Sequence, residues 1–196
     1  MQLEQDKQLK KFAELVFEKN KVHNLTAAKT AEDFYSRHIK DCLCAFKTIE
    51  PKLSENIVDC GSGAGLPGMV WAILSPNSKI WSVDSSQKKT AFQKHAKREL
   101  GLKNIEPIAT RIQDHPLPEG CSVVFKAFSS IGAGAESLRK ETNIKNLLFF
   151  KKDDEKTAQE ITEATSLLYD YKRHEYLSNK EKMLIVELYD NKNSNN

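Results

Sequence analysis

The chain contains the segment Val58-Asp-Cys-Gly-Ser-Gly-Ala-Gly-Leu-Pro-Gly68, which says most about its architecture. The segment follows a short apolar run and has glycines at the alternate positions Gly61, Gly63 and Gly65. Glycine adopts positive φ angles at little cost and has no side chain, so such a turn can bring its N–H groups close to a ligand. Residues 66–74 are predicted to form a helix whose N-terminus faces the same ligand. The pattern predicts a strand–turn–helix unit that binds a cofactor.

Two carboxylates accompany this turn and help to choose between two cofactors. Asp59 lies just before the first glycine, and Asp84 ends the next predicted strand, where a carboxylate can bind a ribose diol. The run Gly63–Gly68 matches G-x-G-x-x-G, the fingerprint of NAD-dependent oxidoreductases. That fingerprint should begin directly after the strand, however, and Asp59 would repel a pyrophosphate. Because Asp59 suits the sulfonium and ammonium groups of S-adenosylmethionine, a methyltransferase is favoured over a dehydrogenase. A turn that serves packing alone is disfavoured because the strand, the turn, the helix and Asp84 occur in the expected order.

Strand-like and helix-like patterns alternate along the chain. The predicted helices cover residues 3–19, 31–49, 66–74, 86–100, a part of 133–141, and 155–167. The predicted strands cover residues 56–60, 79–83, 105–109, 122–125, 146–150, 168–176 and 182–189. This alternation predicts an α/β fold with a mostly parallel seven-stranded sheet and helices on both faces.

Two irregularities narrow the fold class further. Pro107 lies inside the third strand and confines it to an edge of the sheet, because proline has no N–H to donate. The last two strands are joined by residues 178–180 without a helix, so they pair as an antiparallel C-terminal hairpin. This is the Rossmann-like arrangement of class I methyltransferases. We expect an N-terminal helical lid at 1–50, the S-adenosylmethionine-binding methyltransferase domain at 51–190 and a disordered tail at 191–196.

The composition is that of an ordinary globular protein, with 39% hydrophobic and 29% charged residues among 196. The net charge of +3 is compatible with a nucleic-acid partner but too small to argue for one. The cysteines and histidines have neither zinc-site nor disulfide spacing, so we expect no metal and a reducing compartment. With no long apolar run and no signal segment, we expect a cytoplasmic monomer without a membrane partner.

Several short motifs occur in an order that resembles one known family. They are His23-Asn-Leu-Thr26, Arg37-His-Ile-Lys-Asp41, the glycine turn, Val83-Asp-Ser85 with Lys88-Lys89, and Arg98-Glu-Leu-Gly-Leu-Lys-Asn-Ile105. The chain resembles the small-subunit (16S) ribosomal RNA methyltransferase G family, also called glucose-inhibited division protein B, from about residue 20 to residue 189. The resemblance implies methyl transfer from S-adenosylmethionine to N7 of a guanosine in 16S rRNA, near the decoding centre of the small ribosomal subunit.

The resemblance also implies roles for individual residues. The turn and the resemblance together give these cofactor-binding residues: Asp59, Gly61, Gly63, Gly65, Leu66, Asp84, Ile112, Gln113 and Lys126. Gln113 stands where the family usually has Glu, Lys126 where it has Arg, and residues 139–145 replace an expected glycine-containing turn. These departures keep two alternatives open: a methyltransferase of another RNA or a small molecule, and an RNA-binding relative with weakened catalysis.

Guanine N7 carries a lone pair and no proton, so its methylation needs alignment of the reactants rather than a general base. The candidate catalytic residues are Lys126, Phe128 and Arg111, with Phe128 as a stacking partner for the guanine or as an ordinary core residue. The candidate RNA-binding residues are Asn24, Arg37, His38, Lys88, Lys89 and Lys151. His38 and Asp41 share a helix face and could reach the site, although a salt-bridge role is favoured. Lys88 and Lys89 begin a strongly basic segment that could bind phosphates.

Overall fold

The computed structural model describes residues 2–128, 130–141, 143–165 and 169–190, so the predicted tail at 191–196 lies outside the described residues. The helices are α1 (Leu3–His23), α2 (Ala31–Phe34), α3 (Lys40–Ile49), α4 (Gly68–Leu74), α5 (Gln87–Glu99), α6 (Ile131–Ser137) and α7 (Glu155–Thr165). The strands are β1 (Asn56–Cys60), β2 (Lys79–Asp84), β3 (Ile105–Ala109), β4 (Cys121–Phe125), β5 (Ile144–Lys152), β6 (Tyr169–Ser178) and β7 (Glu181–Asp190).

The strands form one seven-stranded sheet in the order β3-β2-β1-β4-β5-β7-β6. Strands β1 to β5 run parallel, and β7 pairs antiparallel with both β5 and β6. Pro107 lies in the edge strand β3, as predicted. The C-terminal hairpin turns at Asn179 and Lys180, which have φ angles of 51° and 66°. Two successive positive φ angles match the twist of a tight hairpin, and the predicted fold class is confirmed.

The sheet order reverses between β1 and β4, because the chain first moves outward to β3 and then returns to the other side of β1. In open parallel sheets such a reversal leaves a crevice at the carboxyl ends of the strands, where ligands bind. Cys60, Asp84, Ala109 and Phe125 end β1 to β4 and therefore lie along this edge. The topology thus places the glycine turn, which follows β1, beside the ends of β2 and β4.

Helices cover both faces of the sheet. Alternate residues of β1 enter different clusters, Ile57 with α1, α3, α4 and α5, and Val58 with α6 and α7. Trp71 of α4 is fully buried, lies between the rings of Phe46 and Phe150, and donates its Nε1–H to the Cys42 carbonyl at 3.1 Å. The N-terminal helices therefore share the main core with the sheet.

Several helices differ from the sequence prediction in their bounds; α1 extends to His23, and α4 begins at Gly68 rather than at residue 66. The predicted helix at 31–49 contains a π-helical turn, Tyr35–Ile39, which separates α2 from α3 and includes two of the candidate RNA-binding residues. Helix α6 begins at Ile131 because the Ser130 side chain accepts a hydrogen bond from the Ala133 N–H at 3.1 Å, a standard N-cap. Across the described ranges, the helices are too short or too polar to span a membrane.

Candidate active site

The glycine turn is built from residues with positive φ angles. Gly61, Gly63 and Gly65 have φ values of 71°, 58° and 96°. The Gly61 and Ser62 N–H groups both donate to the Val83 carbonyl, at 2.8 and 3.2 Å, and so hold the turn against the end of β2. A Cβ atom at Gly65 would lie 2.7 Å from Met69 Cγ, so a side chain there would force the Met69 side chain to move as well as strain the backbone.

Asp84 connects the turn to the end of β2. Its Oδ2 atom accepts the Gly63 N–H at 2.8 Å, and its Oδ1 atom accepts the Ser86 N–H at 2.8 Å. The Lys89 ammonium lies 4.0 Å from Oδ2. A carboxylate can accept about four hydrogen bonds, so these backbone contacts fix its orientation and leave capacity for a ligand.

Asp59 lies beneath the turn rather than on its open side. The side chain is fully buried, and Oδ2 accepts the Gly68 N–H at 2.8 Å while Oδ1 has no hydrogen-bond partner. A Cβ atom at Gly68 would lie 2.7 Å from the same Oδ2, which explains why glycine follows Pro67. Burial raises the pKa of Asp59 to about 7, against the opposing effect of the Gly68 N–H. Asp59 therefore supports the turn from below.

A cleft of about 150 Å³ opens at the carboxyl ends of β1 and β2. Six of the predicted site residues line it: Gly61, Asp84, Arg111, Ile112, Gln113 and Phe128. The Phe128 ring would be 3.5 Å from a Cβ atom at Gly61, and it packs edge-on against Phe125 at 5.0 Å between ring centroids. A carboxylate, an amide and apolar walls in one small cleft suit a nucleoside-like ligand.

Four further residues of the cleft were not predicted: Cys60, Val83, Ser85 and Thr110. Each of them ends a strand or lies next to a predicted site residue, so the rule that ligands bind at carboxyl ends of parallel strands could have found them. Gly63, Gly65 and Leu66 belong to the turn behind the cleft and do not line it.

Lys126 and Lys151 do not line this cleft but a second cavity, of about 340 Å³, at the carboxyl ends of β4 and β5. We define the second cavity by Asp41, Lys126, Phe150, Lys151, Glu160 and Met183. The Lys126 ammonium lies 3.1 Å from Asp41 Oδ2, and the Lys151 ammonium lies 2.6 Å from Glu160 Oε2. Both lysines are thus paired with nearly buried carboxylates.

The other predicted RNA-binding residues line neither of the two cavities. Asn24 caps α1 with a φ angle of 50°, and exposed Arg37 pairs with Asp33. Burial and then the Lys126 charge lower the pKa of half-buried His38, whose ring packs against Phe34 at 5.4 Å between ring centroids. Lys88 is exposed and Lys89 half-buried in the first turn of α5, near Asp84. Among the described residues, no group of three or more His, Cys, Asp or Glu side chains is placed so that it could hold a metal ion.

The chain was compared with known proteins. The model of a family described as rRNA small subunit methyltransferase G matches residues 5–185. A relative of that name from Methylobacillus flagellatus is 40% identical over 57% of this chain and 54% of its own length. Another, from Francisella philomiragia, is 34% identical over 93% of this chain and 88% of its own length. The alignments of this chain with several of these relatives span only about half of the relatives' length.

Among solved structures, an O-methyltransferase from Bacillus cereus in complex with SAH superposes with a TM-score of 0.58, at 13% sequence identity. The superposition covers 92% of this chain and 91% of that one. At this identity the similarity concerns the fold alone, and it agrees with the sheet order described above.

Proposed function

The chain belongs to the rRNA small subunit methyltransferase G family, and we propose on this basis that it methylates 16S rRNA with S-adenosylmethionine as the methyl donor. The acceptor in this proposal is N7 of a guanosine near the decoding centre. The observation that carries the proposal is the cleft in which the glycine turn, Asp84 and Gln113 meet. That the protein acts as a cytoplasmic monomer stays a prediction.

The residues of the cleft fit the adenosine part of this cofactor. Asp84 would accept hydrogen bonds from the ribose hydroxyls, since two backbone N–H groups already hold its carboxylate in place. The Gln113 amide oxygen would accept from the adenine amino group, and Ile112 and Phe128 would contact the ring faces. When bound, S-adenosylmethionine supplies a methyl group activated by its sulfonium.

The rest of the reaction requires positioning. N7 attacks with its own lone pair, so no residue has to remove a proton. The chain must hold the base, the methyl carbon and the sulfur in line and keep water away from them. Such alignment can lower the activation free energy by about 7 kcal/mol when the reactants are well oriented.

Two measurements test the proposal. Calorimetry should detect binding of S-adenosylhomocysteine, and tighter binding of NADH would favour the dehydrogenase instead. Tritiated S-adenosylmethionine should label 16S rRNA in small subunits from cells that lack this protein, and mass spectrometry should locate the methyl group. Cofactor binding without any labelling of small subunits, free rRNA or small molecules would indicate the RNA-binding relative with weakened catalysis.

The contribution of RNA phosphates is tested by reversing two charges near the cleft. We expect the double variant Lys88→Glu, Lys89→Glu to bind 16S rRNA more weakly and to reduce the slope of log affinity against log salt by about 1–2, because each lost phosphate contact retains its counterion. The matched control is Lys52→Glu, Lys79→Glu, which changes the same charge at exposed residues near the amino ends of β1 and β2. A salt slope equal to that of the wild type would contradict the role of Lys88 and Lys89.

A further inference from the structure

The short segment after β4 serves both cavities. Lys126 lines the second cavity, whereas Phe128, only two residues later, lines the cleft. Between them, Ala127 has a φ angle of 57°, in the left-handed region that residues other than glycine rarely adopt. Such local strain is retained where the surrounding structure requires it, and it is often found at functional sites. This geometry directs one side chain towards each cavity.

The second cavity contains a donor and an acceptor held side by side. Asp41 Oδ2 lies 3.1 Å from the Lys126 ammonium, and Asp41 Oδ1 accepts the Tyr176 hydroxyl at 3.0 Å. Only 15% of the Lys126 side chain and 9% of the Asp41 side chain are exposed. Each carboxylate oxygen can accept a second hydrogen bond, and the ammonium has three N–H groups, so both retain capacity for a ligand.

The remaining wall has an apolar part, formed by Phe150 and Met183, and a charged and polar part, formed by Lys151, Lys152, Asp154, Lys156, Thr157 and Glu160. The Phe150 ring centroid lies 5.5 Å from the Lys126 ammonium, and Met183 lies on the same lining. An aromatic ring beside a fixed donor–acceptor pair is a typical environment for a planar heterocycle. The cavity volume of about 340 Å³ also falls in the range of small-ligand sites.

We propose that Lys126 and Asp41 recognise the target guanine by hydrogen bonds in the second cavity, an inference that rests on the proposed function. The Lys126 ammonium donates to the base O6 atom, and the Asp41 carboxylate accepts from N1–H and from the 2-amino group. Guanine presents this acceptor beside these donors, whereas adenine presents an amino donor beside an acceptor at N1, so the pair discriminates between the two purines. A base held by O6 and by its N1–N2 edge keeps N7 free to receive the methyl group. Tyr176 acts as a positioning residue for Asp41.

Inosine provides a sharp test, because it keeps N7, O6 and N1–H and lacks only the 2-amino group. The substrates are small subunits assembled with 16S rRNA that carries either guanosine or inosine at the position located by mass spectrometry. We expect the wild-type protein to favour guanosine by about 5- to 100-fold in kcat/KM. Asp41→Asn should bring this ratio close to one, because an amide presents a donor where the 2-amino group requires an acceptor.

The second variant and the control separate recognition from folding. Asp41→Glu keeps the charge beside Lys126 but displaces the carboxylate, so it should also reduce the ratio if Asp41→Asn does not fold. Lys126→Gln should lower kcat/KM for both substrates by a similar factor, because both have O6. The control is Glu187→Gln, which alters a buried carboxylate paired with His174 at 2.7 Å and lining neither cavity; it should retain the wild-type ratio.

The outcomes distinguish this inference from the proposed function. If the wild-type protein labels no small subunit at all, the proposed function fails. If it labels them but treats guanosine and inosine alike, or if both Asp41 variants keep the wild-type ratio, the assignment of the base-reading pair is wrong. Affinity for S-adenosylhomocysteine, measured in parallel, should be unchanged in the Asp41 variants because Asp41 does not line the cleft.

Discussion

At the scale of single residues, Asp59 shows how a buried carboxyl group can support the glycine turn. The carboxyl lies beneath Gly68, accepts one backbone N–H and leaves its other oxygen without a hydrogen-bond partner. Burial without full compensation favours the protonated form, which is why the pKa is raised to about 7 from the usual 3.8. Between these two values the folded chain binds more protons than the unfolded chain.

Asp59→Asn should therefore change how stability depends on pH. A raised pKa in the folded state means that the free energy of unfolding of the wild type falls as pH rises from about 4 to 7. The asparagine variant cannot titrate, so the wild type should lose stability relative to it across this window, on the order of 3 kcal/mol at most. Urea unfolding at several pH values measures the difference, and two parallel pH profiles would contradict the raised pKa.

From the sequence, Phe128 could be either a stacking partner for the target guanine or an ordinary core residue. In the structure its ring lines the cleft. We expect Phe128→Ala to weaken binding of S-adenosylhomocysteine about three- to tenfold, because an aromatic face against the ligand is lost. Phe128→Leu, which keeps an apolar side chain, should lose less. If calorimetry finds the affinity unchanged while kcat/KM for RNA falls, the ring contacts the target base, as the sequence-based hypothesis held.

The residues of the site differ in how far the sequence could predict them. Asp84 could be placed because it ends a strand next to the glycine turn, whereas Arg111 and Gln113 were expected from the family resemblance. The directions of Lys126 and Phe128 relative to each other could not be predicted, since they depend on the φ angle of Ala127. The contact between Asp41 and Tyr176 joins residues 135 positions apart, and no local pattern encodes such a contact.

At the scale of elements, helix α6 packs closely against the sheet through one of its two glycines. A Cβ atom at Gly134 would overlap the Phe149 ring and lie 3.5 Å from the Phe125 ring, whereas a Cβ atom at Gly132 would meet nothing. The two phenylalanine rings are themselves stacked, with centroids 4.6 Å apart. The close approach of α6 therefore depends on the missing side chain at Gly134.

Alanine at these two positions should have opposite effects on stability. We expect Gly134→Ala to lower the free energy of unfolding by about 1–3 kcal/mol through overpacking against Phe149. Gly132→Ala, in the same helix, should raise it by about 0.5–1 kcal/mol, because alanine favours a helix more than glycine does. The two urea midpoints measure this, and similar midpoints would show that α6 can shift away from the sheet.

At the scale of the whole molecule, the N-terminal helices and the sheet share one core. Leu9, Phe12 and Val16 of α1 have no exposed surface, and Gln8 donates to the Leu100 carbonyl at 2.9 Å. Alternation of strands and helices, Pro107 and the short C-terminal turn were enough to predict a mostly parallel sheet, the edge position of β3 and the antiparallel hairpin, but not that β7 lies between β5 and β6. Whether residues 1–50 are a lid that moves could not be predicted, since an amphipathic pattern does not say how tightly a helix is held.

Deletion of residues 2–23 distinguishes a lid from a part of the core. Each large apolar side chain of α1 contributes about 2 kcal/mol when buried, so the deletion removes several kcal/mol from a total stability of about 5–15 kcal/mol. We expect the shortened chain to lose cooperative thermal unfolding, followed by circular dichroism. A shortened chain that still unfolds cooperatively and binds S-adenosylhomocysteine would support the lid.

The short link between Lys126 and Phe128, through Ala127, has a consequence for the evolution of the site. Lys126 and Phe128 are joined by two peptide bonds, so the span from the cleft to the second cavity is limited to about 7 Å of backbone at this point. In the proposed complex, this covalent link limits how far the part of the cleft at Phe128 can move from the part of the second cavity at Lys126. Side chains on either side can be exchanged without altering this separation, whereas inserting or deleting one residue here would displace one reactant from the other by more than a bond length.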